Sequence, residues 1–249
     1  MTVPQLNAIG RNIFSLDNGL RWWDSDTGCT MVMSTPSAEP DLWSEYVCGA
    51  KRSYRKHGVE VALDLAALKS GKDTQLFFAA VDEDGRVVGG LRAKGPLEAA
   101  EESHAVVEWA GRPGLDAVRK MLTDRLPFGV VEMKAAWVTD DPTISRLLTR
   151  TIARTPFPTM AALNAQFVVA TAASHVLERW RTSGGVVAKI PATPYPDDRY
   201  RTKMMWWDRS TFTNHADPVQ VSKVFAEMSR LGDEFNRAGA AGLGVGSGM

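Results

Sequence analysis

Two glutamates stand inside apolar runs, and a carboxylate so placed is a first candidate for proton transfer. Glu132 lies in FGVVEMKAAWV (residues 128–138), where it can accept a proton directly or through water. Lys134, two residues on, points to the same face of an extended strand, so solvation or an ion pair is the competing assignment. Glu108 sits alone in AVVEWA (residues 105–110) and is a general-base candidate if buried, a solvated edge charge if not. Arg92 closes an apolar run; its planar guanidinium can hold a substrate carboxylate or complete a strand-end salt bridge. His175 opens a helical segment after Ser174, close to a strand end where open α/β sheets bind ligands; a surface histidine is the alternative. Arg146, Arg150 and Arg154 recur at helical spacing, a stripe fit for a phosphate-bearing arm or an acidic partner, or simply solvated. His57, His104 and His215 are scattered, and with Cys29 and Cys48 they show no metal-ligand spacing, so no metal is expected.

The elements that must position these residues are legible in outline. Residues 75–94, QLFFAAVDEDGRVVGGLRAK, are two β-forming runs about a DEDG turn and predict a β-hairpin. Residues 29–34 read as a strand. Pro40-Asp41 opens a helix carrying Leu42, Tyr46, Val47 and Tyr54 and ending at Lys56, and a second helix covers 59–68. Residues 95–103 read as a loop or short helix, 105–110 as a strand, 115–125 as a helix and 128–138 as the longest strand. Asp140-Asp141-Pro142 starts a helix over 143–154. TPFPTM (residues 155–160) is a proline-punctuated link. A buried strand over 166–172, a helix over 174–183, strands over 186–190 and 202–207 and an amphipathic helix over 218–235 complete the order. Trp206 and Trp207 must point to opposite faces, so one is core and the other can line a pocket; Met204 and Met205 suit an adaptable apolar cavity.

The order implies an α/β fold, a single mixed β-sheet flanked by helices on both faces. Residues 1–28 read as an N-terminal extension anchored by tryptophans, 29–210 as the domain, 211–237 as a closing helix and 238–249 as a disordered tail. With 29 basic and 29 acidic side chains the formal charge is zero, which disfavours a nucleic-acid partner. Two cysteines, no apolar stretch long enough to cross a bilayer and no leader-like N-terminus make a cytoplasmic protein the expectation.

With its order of elements, the chain resembles the GNAT-fold N-acyltransferases, nearest to the branch of acyl-homoserine-lactone synthases and N-acyl amino acid synthases. The residues that carry the likeness are MVMSTPSAEPDLWSEYV, then FFAAVDEDGRVVGGLRAKGP with Arg92 after the hairpin, then VVEMKAAWV and ATAASHVLERWRTSGG, spanning about residues 30–210. The resemblance implies acyl transfer from a thioester, acyl-CoA or acyl carrier protein, to the amine of a small substrate. Glu132 or Glu108 would be the base and Arg92, with His175, would hold the acceptor. Trp137, Val138 and Thr139 would meet the acyl-pantetheine arm by backbone pairing, with Ser145 and Arg146 beyond them.

Residues 128–138 and 166–172 should then be neighbouring parallel strands that part into a V-shaped slot. Two departures keep a non-catalytic GNAT-fold binding protein open. The stretch Thr139-Asp140-Asp141-Pro142-Thr143 has carboxylates and no glycine where many members hold a diphosphate on backbone N–H groups. Trp180 falls where a tyrosine acid is common.

Overall fold

A computed structural model describes residues 19–243 and the side chains of 19–233. The elements are β1 (Leu20–Asp24), β2 (Cys29–Ser34), α1 (Pro40–Lys56), α2 (Leu65–Ser70), β3 (Leu76–Val81), β4 (Val87–Lys94), α3 (His104–Glu108), α4 (Leu115–Thr123) and β5 (Val130–Val138). They continue with α5 (Ser145–Ile152), α6 (Pro156–Ala162), β6 (Phe167–Ala173), α7 (Ser174–Arg181), β7 (Val186–Val187), β8 (Thr193–Pro194), β9 (Arg201–Asp208) and α8 (Pro218–Leu243). The strands form one mixed sheet in the order β1-β2-β3-β4-β5-β6-β9-β7, with β8 on β9. Every pairing is antiparallel except β5 with β6. This is the GNAT-type architecture, with helices on both faces.

Local chemistry explains the framework. In the β3–β4 turn, the Asp82 carboxylate accepts the N–H groups of Asp84 and Arg86, while Gly85 takes a φ of 80° that a side chain would strain. Asp64 caps α2 by accepting the Ala67 N–H at 2.9 Å, and left-handed Gly71 ends that helix. One sheet face packs Phe77 and Ala79 against Trp43, Tyr46 and Ala50 of α1; the other packs Met31, Phe78, Val131 and Val168 under Leu148, Phe157 and Met228. α6 begins on two prolines, positions whose missing N–H costs a helix start nothing.

Several expectations need correcting. Residues 20–24, expected in an N-terminal extension, are the edge strand β1 of the sheet; residues 1–18 of that extension lie outside the described residues. The run at 105–110 is helical, not extended: Ser103 caps α3 through the Ala105 N–H, and the burial pattern follows a helix. The 155–160 link is most of α6. α8 continues past 237 to Leu243, and residues 244–249 lie outside the described residues. Arg154 leaves the basic stripe altogether. At 1 % exposure, its guanidinium donates to Asp24 at 2.6 Å, to Glu227 at 2.8 Å and to Gln220 at 3.1 Å, tying the end of α5 to β1 and α8. Among the described residues no helix is long and apolar enough to cross a membrane.

Candidate functional site

β5 and β6 run in parallel register from Val130↔Phe167 to Met133↔Ala170, and there the pairing stops. Beyond that point β5 stays with β4 (Arg92↔Lys134, Gly90↔Trp137), while β6 stays with β9 (Thr171↔Met204, Ala173↔Thr202). The two strands therefore part as the resemblance implies. A bulge sits at the parting: Ala135 and Ala136 stand against Leu91 alone, and Ala135 has a φ of 52°. That left-handed conformation is costly for a residue with a Cβ, and the Tyr46 hydroxyl holds it by donating to the Ala135 carbonyl at 2.9 Å. From here the edge of β5 that faced β6 has no partner strand, so an extended ligand can pair with it.

The gap opens into a cleft of about 660 Å³. Trp137, Val138, Thr139 and Ser145 line it, as do Arg92, Glu108 and His175; Glu132 and Arg146 do not. Trp137 is fixed by packing, because its indole occupies the space a Cβ at Gly49 of α1 would need. Arg146 is exposed on α5.

Glu132 is buried at 1 % exposure and fully engaged. Its carboxylate accepts the Ser103 hydroxyl at 2.9 Å, the His104 N–H at 3.0 Å and the Ala105 N–H at 3.3 Å. These are the donors that a helix start leaves open, so Glu132 seats α3 on the sheet instead of standing free as a base.

Seated in this way, α3 turns Glu108 and His104 into the cleft. Glu108 Oε1 accepts the Thr171 hydroxyl at 2.8 Å, and Oε2 is buried without a partner. Burial pushes the Glu108 carboxyl up to about 8; the Thr171 bond and Lys134 oppose the rise and Glu132 adds to it. Across one helical turn, His104 Nε2 lies 3.8 Å from Glu108 Oε1 and 2.8 Å from the Tyr195 hydroxyl. Burial, then the Lys134 charge, holds the His104 ring down to about 4, so the ring is neutral at pH 7. Thr193 fixes the Tyr195 segment by donating to the Glu108 carbonyl at 3.1 Å.

Arg92 is buried at 1 % exposure and pairs with Asp73 at 2.6 Å and Thr74 at 3.0 Å, leaving Nε without a partner. The strand-end salt bridge is thus realised at the cleft wall. His175 is exposed at the rim. Trp180 packs on Trp207, with ring centroids 6.0 Å apart, and the phenols of the cleft come instead from Tyr54, Tyr195 and Tyr200. His104, Tyr195 and Lys134 went unrecognised in the sequence as members of one site. His104 and Tyr195 are 91 residues apart, and no local spacing joins them.

In the Thr139–Thr143 stretch, Asp141 accepts the Thr143 N–H at 2.9 Å and its hydroxyl at 2.6 Å, and Asp140 pairs with Lys56 at 2.8 Å. A donor that a diphosphate would use is thereby already taken by a carboxylate. Among the described residues no cluster of His, Cys, Asp and Glu is arranged to hold a metal ion.

Comparison with known proteins places the chain among relatives. No protein-family model matches it. It is 54 % identical over 232 residues to an uncharacterised protein of Mycobacterium tuberculosis H37Rv, covering 93 % of this chain and 88 % of that one. An uncharacterised protein of Mycobacterium bovis matches equally. Among solved structures, FeeM, an N-acyl amino acid synthase from uncultured soil microbes, superposes with a TM-score of 0.52 at 12 % identity, over 77 % of this chain and 97 % of FeeM. The CoA-dependent acyl-homoserine lactone synthase BjaI gives 0.49 at 16 % identity, over 77 % and 87 %.

Proposed function

This chain belongs to the family of these mycobacterial proteins, and we propose that it moves an acyl group from a thioester to the amine of a small substrate. The observation that carries the reading is the parting of β5 and β6 after Met133 and Ala170, with buried Glu108 and half-buried His104 and Tyr195 beside the opening. Backbone beyond Met133 pairs with the pantetheine arm along Trp137 to Thr139, which fixes the thioester next to the polar group. The unpartnered edge of β5 supports this, because an extended amide-bearing arm satisfies it as a strand would.

Glu108 serves as general base. Its raised pKa puts its ionisation close to neutral pH, where a base combines availability with driving force. Neutral His104 and the Tyr195 hydroxyl relay a proton to the departing thiolate. Arg92, already engaged by Asp73, shapes the acceptor wall, and His175 guards the rim. The Thr139–Thr143 carboxylates favour an arm presented by an acyl carrier protein over coenzyme A, since negative side chains at that spot repel a diphosphate.

The test is thiol release from S-octanoyl-pantetheine, octanoyl-CoA and octanoyl carrier protein with a panel of small amines, alongside thermal shift. Release that needs an amine and disappears in Glu108→Gln supports acyl transfer. Absence of both release and stabilisation by any donor would favour the alternative of a scaffold that binds without catalysis.

A further inference from the structure

The cleft that would receive an external amine already contains one. Lys134 is the first residue of β5 beyond the last register pair with β6, and it stands opposite Arg92 of β4. Its side chain shares the cleft wall with Glu108, His104 and Thr171. The carboxylates nearest to it are held by other groups: Glu108 by Thr171, and Glu132 by Ser103 and two backbone N–H groups. Among the described residues neither of them forms an ion pair with Lys134. Other lysines differ. Lys94 donates to the Glu102 carbonyl at 2.6 Å, and Lys56 lies in the open, paired with Asp140.

We propose that Lys134 Nζ is itself an acyl acceptor, so that a thioester seated where β5 and β6 part acylates the chain at this residue when no external amine occupies the cleft. The inference rests on the acyl-transfer reading and extends it to a modification site. The neutral amine attacks the thioester carbonyl carbon. A C–N bond forms, the C–S bond breaks, and the electron pair leaves on sulfur. The proton lost from nitrogen passes through the Glu108 group to the thiolate, giving an amide and a free thiol. Burial lowers the pKa of Lys134, and Arg92 and Lys94 act in the same direction against Glu132 and Glu108. Holding amine and carbonyl in one cleft supplies the proximity that a lysine in bulk solvent lacks. The product loses a positive charge and carries an acyl chain on the acceptor wall, so the reaction closes the site to further substrate.

The experiment incubates the full chain with S-octanoyl-pantetheine and no amine, then measures intact mass and maps tryptic peptides. Acylation blocks cleavage at Lys134, so the adduct appears in the peptide spanning residues 126–146. One octanoyl group on that peptide, forming on the order of tenfold faster than on any exposed lysine and lost in Lys134→Arg, is the expected result. The wild-type peptide map decides the matter even where the variant folds poorly. Adducts spread evenly over exposed lysines would overturn the inference. So would a thermal shift by the thioester, or acylation of an added amine, with Lys134 unmodified, and that outcome leaves the acyl-transfer reading standing. No adduct and no binding would remove both.

Discussion

His104 Nε2 and Glu108 Oε1 face each other at 3.8 Å across one turn of α3, and the histidine nitrogen also meets the Tyr195 hydroxyl at 2.8 Å. With the ring held neutral and the carboxyl raised, the pair carries no net charge at pH 7. A desolvated cleft favours that state. It also means that the base form of Glu108 grows in only as pH climbs toward 8.

Acyl transfer should therefore rise with pH and level off above about 8, the value to which Glu108 is raised. Glu108→Gln should lower kcat by about 10²- to 10⁴-fold and abolish this rise. A pH–rate profile of both proteins checks it; an unchanged limb in the variant would assign the base elsewhere.

Stability should respond in the opposite direction. Glu108 has a folded pKa of about 8 against 4.5, so between these values the unfolded chain has lost a proton that the folded chain keeps, and stability falls as pH rises. His104, lowered to about 4 from 6.5, makes stability rise over that lower window. The two oppose each other up to about pH 6.5, above which the Glu108 effect is no longer offset by His104. Urea unfolding should show a decline from pH 6.5 to 8 that Glu108→Gln flattens.

Glu132→Ala should cost ~1–3 kcal/mol, because it strands the Ser103 hydroxyl and the His104 N–H at the start of α3 and leaves the Ala105 N–H only its bond to Ser103. Its signature is a loss of activity at temperatures where the protein remains folded, since α3 no longer aims Glu108 and His104. Glu132→Gln, which keeps one acceptor oxygen, should recover part of both.

Asp140→Asn with Asp141→Asn should raise the affinity for octanoyl-CoA several-fold and leave that for S-octanoyl-pantetheine unchanged. The substitutions remove negative charge only from where the diphosphate would lie. Calorimetric titration of the two thioesters separates these outcomes.

Arg154→Met should destabilise by about 3–5 kcal/mol, because it leaves Asp24 and Glu227 buried without their cation. Thermal unfolding reads this directly, and the effect should exceed that of Arg146→Met on the open face of α5.

The alternation of strands and helices and the β3–β4 hairpin were legible because each rests on local periodicity and turn chemistry, whereas the parting of 128–138 from 166–172 came only from the family resemblance. Residues 105–110 were misread because a run of six apolar-rich residues suits a strand or a helix turn equally. What decides it is Glu132, on another element, supplying the acceptors that a helix start needs. Glu132 and Glu108 were both singled out, but only the fold shows that one holds the other in place. Arg154 looked like the third member of a solvated stripe since its partners, Asp24 and Glu227, lie 130 and 73 residues away.

The Ala135 kink has one more effect, on phase. Up to Met133, β5 alternates regularly, with Val130 toward α3 and α4 and Val131 and Met133 toward α5 and α6. Past the kink Ala136 and Val138 take the latter side, and Trp137 returns to the side of α1. Excising a single alanine from this tract would straighten the ladder and keep the indole opposite Gly90 on the side of α1, while removing the left-handed step whose carbonyl the Tyr46 hydroxyl holds.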